Sequence, residues 1–131
     1  KLRDPGLTPY ALPPVERLAN TLEYFVHHED LRRGQPGWEP RRLDAADADA
    51  IWRAVRLGGM ALARPAGVPV VIRRTDSDAT ATLRRGDDPV TVTGQVSELA
   101  LFLFGRSQVR DLSFEGPPER VTRLRSAALG I

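Results

Sequence analysis

Glu23 and His27 stand four residues apart, and Asp30 follows three residues later, within Asn20-Thr-Leu-Glu-Tyr-Phe-Val-His-His-Glu-Asp30. On a helix that spacing is one turn, so the carboxylate and the imidazole project side by side and Asp30 extends the row. Such a pair can share one divalent metal ion, as Glu-x-x-His pairs do in di-iron bundles. The same spacing also occurs on solvated helix faces, where the two side chains make only a weak pair. A catalytic zinc takes three protein ligands plus water, so two donors are an incomplete set. His28, turned about 100 degrees away on the helix, reads as a surface or interface residue. His27 as an isolated general base has no nucleophile to serve.

A second candidate is Arg106, just after the apolar run Leu99 to Phe104 and Gly105. An arginine at a helix C-terminus can neutralise the dipole and cap carbonyls. It can equally act as a clamp that binds a substrate carboxylate through two hydrogen bonds. The doublets Arg32-Arg33, Arg41-Arg42, Arg73-Arg74 and Arg84-Arg85 read as solvated surface charge. Strand neighbours point to opposite faces, and no aromatic residues interleave to stack bases. Phosphate-cradling glycine motifs, a G-x-S-x-G elbow and a complete H-E-x-x-H are absent from the sequence.

These side chains need elements to hold them. Residues 1–13 are rich in Pro and Gly and predict an extended lead-in. A helix then starts near Pro14 and runs to about Arg33, stopping at Gly34. Val15, Leu18, Leu22, Phe25, Val26 and Glu29 mark one face of it, and all but Glu29 are apolar. A lone amphipathic helix cannot bury its own stripe, so it must pack on the rest of this chain or on further helices. After a Pro/Gly/Arg connector, Asp44 is placed to cap a second helix that buries Ala48, Ile51, Trp52, Val55 and Leu62. Gly58-Gly59 within it predicts either close packing at that spot or a break. The period then changes to two: Val68 to Thr75, Ala79 to Arg85 and Pro89 to Gln95 read as strands of an antiparallel meander. Ser97 is placed to cap a short, buried, all-round apolar helix. Asp111 to Glu115 suits a fourth strand, and Gly116-Pro117-Pro118 opens a last helix with Val121, Leu124 and Ala128 inward.

The chain's 131 residues, 41% hydrophobic and 27% charged, describe a globular protein. No apolar run approaches the roughly 20 residues of a membrane span. Cysteine is absent, which excludes disulfides, Cys-ligated metals and a thiol nucleophile. The net charge of +2 gives little support to nucleic-acid binding. With no signal peptide visible, a cytoplasmic setting is expected. Lysine occurs once, as Lys1, and basic charge is otherwise arginine, the usage of a GC-rich bacterial genome. The first residue is Lys1 and the sole methionine is Met60, so the chain is expected to be the C-terminal part of a longer protein.

Two stretches together carry a resemblance. Glu23-Tyr-Phe-Val-His27-His28-Glu29-Asp30, Arg32-Arg33 and Pro36-Gly-Trp-Glu-Pro40 resemble the end of the metal-binding helical domain of actinobacterial mycothiol-dependent maleylpyruvate isomerase-like proteins, in particular their "metal-binding protein" subfamily. Thr91-Val-Thr-Gly94, Ser97-Glu-Leu-Ala-Leu-Phe-Leu-Phe-Gly-Arg106 and Leu112-Ser-Phe-Glu-Gly116 are similar to that family's C-terminal domain. The resemblance implies an α+β architecture: the last helix of a DinB-like helical bundle (1–34), a linker (35–43), and a small sterol-carrier-like α+β domain with an antiparallel sheet (44–131). It implies a divalent metal, usually zinc, on one His from an early helix plus Glu23 and His27 here. Arg106 matches the functionally important arginine of the isomerases. The early helices and their histidine have no counterpart in this sequence. Mycothiol would be the thiol cofactor, a small electrophile the substrate, and neither nucleic acid nor membrane a partner. The rivals are a non-catalytic α+β module that binds a ligand or protein, and a homodimer formed through the first helix.

Overall fold

The computed structural model describes residues 14–130, with side chains from residue 20 onward. The expected lead-in over 1–13 and the inward positions Val15 and Leu18 lie outside what is described. The chain order is α1 (Pro14–Arg33), α2 (Ala45–Leu62), a 3-10 turn (Arg64–Ala66), β1 (Val70–Arg74), β2 (Thr80–Arg84), β3 (Val90–Gly94), α3 (Val96–Leu103), β4 (Ser113–Glu115) and α4 (Pro118–Ser126). The protein is thus α+β. No helix among the described residues is long and apolar enough to cross a membrane.

Local chemistry sets most of the boundaries. The Asp44 side chain accepts the Asp47 N–H at 2.8 Å and so fixes the start of α2. Helix α2 runs unbroken through Gly58-Gly59. The packing alternative is the one realised: Leu83 of β2 lies where a Gly59 side chain would sit, 2.8 Å from an ideal Cβ. Helix α3 begins earlier than Ser97. Gln95 occupies the cap without a side-chain hydrogen bond, because Val96 is drawn into the core as the first helical residue. Ser97 instead donates its hydroxyl to Glu98 Oε2 at 2.9 Å. Helix α4 buries Leu124 but ends at Ser126, so Ala128 is exposed and Leu129 turns inward in its place.

The sheet is mixed, not an antiparallel meander. Its strand order is β2-β1-β3-β4, with β1 and β3 parallel and the other two pairs antiparallel. Alternation within each strand carries no record of its neighbour. The valine-rich β1 and β3 take the centre, where Val70, Ile72, Val90 and Val92 are wholly buried, and β2, which buries only Leu83, goes to the edge. The β2–β3 connection must therefore cross the start of β1. Gly86, at φ +148°, allows the crossing, since an ideal Cβ there would lie 2.4 Å from the Pro69 ring. The Val90 N–H then donates to the Pro69 carbonyl at 3.0 Å.

Helix α1 packs on α2 and α3. Leu22, Phe25 and Val26 enter the same apolar cluster as Ile51, Trp52, Ile72, Leu99 and Leu103. Packing on the rest of this chain is how these three members of the stripe are hidden. The opposite side of α1 carries Glu23, Tyr24, His27, His28 and Leu31, all exposed.

Candidate functional site

Glu23 and His27 both lie on the outward side of α1, one turn apart, with their side chains in solvent. His28 sits round the helix, its ring centroid 4.8 Å from that of Tyr24. Asp30, the next member of the Glu23–His27 row, is held by Arg106. The guanidinium Nε donates to Oδ1 at 3.0 Å and Nη2 to Oδ2 at 2.9 Å. Arg106 Nη1 also donates to the Phe104 carbonyl at 2.9 Å. Arg106 therefore caps the end of α3 and clamps a carboxylate at once, although the carboxylate belongs to the protein. Its hydrogen bonds hold the Asp30 carboxyl below the usual carboxylate range against slight burial, with its charge and that of His27 adding to the effect. The fold thus brings Arg106 across 76 positions of sequence to Asp30, about one helical turn beyond His27.

Among the described residues, no three His, Asp or Glu side chains come together as a metal-holding group. Asp30 is the nearest carboxylate along the row, but both its oxygens are taken by Arg106. Glu23 and His27 are two donors, fewer than the three protein ligands a catalytic zinc takes, so the described residues alone do not make up such a site.

Beneath this edge lies a buried ionic network that the arginine doublets did not announce. Glu29, Arg33 and Glu98 are at most 2% exposed. Arg33 donates Nη1 to Glu98 Oε1 at 2.8 Å, Nη2 to Glu98 Oε2 at 2.7 Å and Nε to Glu29 Oε1 at 3.0 Å. Glu29 also accepts from Arg32 and Arg41. Glu98 Oε1 further accepts the Arg110 N–H at 2.9 Å, and Arg33 Nη1 reaches the Gln108 carbonyl at 2.7 Å. Trp38 joins the cluster, its ring 4.4 Å from the Arg33 guanidinium and 4.1 Å from that of Arg110. Burial alone would raise the Glu29 carboxyl, but Arg32, Arg41 and Arg33 more than offset it and hold it down, to about 2 from an ordinary 4.5. Burial likewise works against charge on Glu98, yet Arg33, the Arg110 N–H and Ser97 lower its pKa.

The network ties α1, the 34–44 connector, α3 and the 106–112 loop together, and Arg106 begins that loop. It is the scaffold that presents Arg106 to Asp30. Two signals in the sequence pointed to it. Glu29 interrupts an apolar helix face, and Glu98 lies in a helix otherwise apolar all round; a carboxylate in either place needs a cationic partner. The partner, Arg33, was obscured because its doublet read as surface charge. Arg74 departs from that expectation for a related reason. It follows Val70 and Ile72 on the inward face of β1, and it is buried over Trp52 while paired with Asp76 and Asp49. Arg73, Arg84 and Arg85 are exposed as expected.

Arg106 stands between two recesses. One, of about 180 Å³, is lined by Asp30, Arg33, Leu101 and Gln108. The other, of about 310 Å³, lies toward Phe102, Leu112, Phe114 and Arg125. No protein-family model matches this chain, and neither a curated protein nor a solved structure matches it.

Proposed function

We propose that this chain is the C-terminal portion of a divalent-metal-binding, mycothiol-dependent thiol transferase or isomerase-like protein. In this proposal α1 is the last helix of a DinB-like bundle, and residues 44–131 form a sterol-carrier-like domain. Glu23 and His27 supply two metal ligands from the outward side of α1, and a histidine outside the described residues supplies the third. Glu23 and His27 would hold the ion, zinc as the resemblance implies, and it would supply Lewis acidity that favours the thiolate of a bound thiol. This chain has no cysteine, so the sulfur would be the cofactor's and not one of these residues'.

The observation that carries this reading is the bidentate Asp30–Arg106 pair. It sets the Arg106 guanidinium about one helical turn beyond His27, beside the Glu23–His27 row of α1. An anion clamp beside a metal edge is the arrangement needed to orient a carboxylate-bearing electrophile. To bind such a substrate Arg106 must share or release Asp30.

The test is the zinc content of the protein expressed from its complete reading frame. Glu23→Ala and His27→Ala should each strip the metal while the circular dichroism spectrum stays unchanged, since both side chains are exposed. Arg106→Ala should retain the metal and lose turnover with a thiol and an unsaturated keto acid. Undiminished zinc in both ligand variants would refute the assignment.

A further inference from the structure

The recess on the far side of Arg106 has a composition of its own. Phe102 and Phe114 form an edge-to-face pair, centroids 5.3 Å apart, and line it together with Val109, Leu112 and Leu129. Except for Leu129, these apolar side chains are only partly covered. Its volume of about 310 Å³ is at the lower end of the range for small-molecule sites. No Asp or Glu lines it, whereas Arg106 and Arg125 do. The two arginines differ in one respect. Arg106 is neutralised by Asp30. Arg125 has its guanidinium carbon 4.6 Å from the Phe114 centroid and pairs with no carboxylate among the described residues. The ring attracts the guanidinium, and its N–H donors have no carboxylate partner among the described residues.

We infer that this recess binds a small aromatic monocarboxylate. The ring would lie against Phe102 and Phe114, where a third aromatic group can add an offset or edge contact. The carboxylate would accept from Arg125. An uncharged ligand of the same shape would leave that cation unmatched, and a carboxylate without a ring would leave the apolar walls wet. This site is separate from the Glu23–His27 edge and does not depend on metal.

The experiment is calorimetric titration of the 131-residue chain with 3-phenylpropionate, 3-phenylpropan-1-ol and acetate. The phenyl acid should bind about tenfold or more tightly than the alcohol, the scale of one charge-assisted bidentate contact at a partly desolvated site, and acetate should give no heat. Arg125→Gln should abolish the preference of acid over alcohol with at most a small fall in melting temperature, since the side chain is exposed and loses only its contact with Phe114; Arg125→Lys should keep part of the preference. Glu23→Ala and His27→Ala should bind the acid as the wild type does, which separates this site from the metal proposal. Equal affinity for acid and alcohol, undiminished acid binding by Arg125→Gln, or no binding of the phenyl acid at millimolar concentration would each overturn the inference.

Discussion

Arg33 and Glu98, 65 positions apart, meet through two parallel guanidinium–carboxylate hydrogen bonds of 2.8 and 2.7 Å with both side chains out of solvent. A buried pair of this kind contributes less to net stability than its geometry suggests, because both ions lose their hydration. Breaking it from one side is another matter. The remaining charge is left in the interior, so the penalty falls on whichever partner survives.

Removing one member should therefore cost far more than removing both. Glu98→Gln should lower the unfolding free energy by about 3 kcal/mol. The double variant Arg33→Met/Glu98→Leu should recover part of that loss, since Glu29 keeps Arg32 and Arg41. Urea midpoints of Arg33→Met, Glu98→Leu and their double variant give the coupling; strictly additive losses would mean the pair does not act as a unit.

The same network predicts an acid limb. The Glu29 carboxyl titrates at about 2 in the folded protein and near 4.5 when unperturbed. Folding thus favours the ionised form, and the stabilisation is complete above the ordinary value and is lost as pH falls from about 4.5 toward 2. The difference corresponds to about 3 kcal/mol. Glu98, also lowered, adds in the same direction. Stability measured by urea unfolding from pH 7 to pH 2 should drop through this window. Glu29→Gln should be less stable at pH 7 and should approach the wild type near pH 2.

Gly58 and Gly59 should respond oppositely to the same change. A Cβ on Gly58 meets nothing within 4 Å, so Gly58→Ala gains only helix propensity and should stabilise by about 0.5–1 kcal/mol. A Cβ on Gly59 would meet the Leu83 methyl at 2.8 Å. Leu83 is buried and has little room to yield, so Gly59→Ala should destabilise by about 1–3 kcal/mol. Thermal melts of the two variants decide it.

The Asp30–Arg106 pair should matter little for stability. Its side chains are 39% and 35% exposed, and pairs so open to water give at most about 1 kcal/mol in a double-mutant cycle. Arg106→Ala and Asp30→Asn should each shift the melting temperature only slightly. A large loss in Arg106→Ala alone would show that its hydrogen bond to the Phe104 carbonyl, not the ion pair, is what the fold requires.

Local chemistry was legible in the residues themselves. Pro14 and Gly34 bracket α1, Asp44 caps α2, and turn residues separate strands whose alternation sets which side faces inward. Glu23 and His27 share a row because helical spacing alone decides it. Other features depend on contacts between segments that carry no mark of one another. Strand order was decided by competition for the buried centre of the sheet, which β1 and β3 won over β2. Arg33 and Arg74 became interior charges because carboxylates from other turns and helices met them there. Arg106 came to His27's end of α1 only when α3 docked beside that helix and Asp30 closed on it. Periodicity and capping act over one or two turns, so a sequence records them directly; ion-pair partners and strand neighbours are chosen by burial, which exists only once the chain has packed.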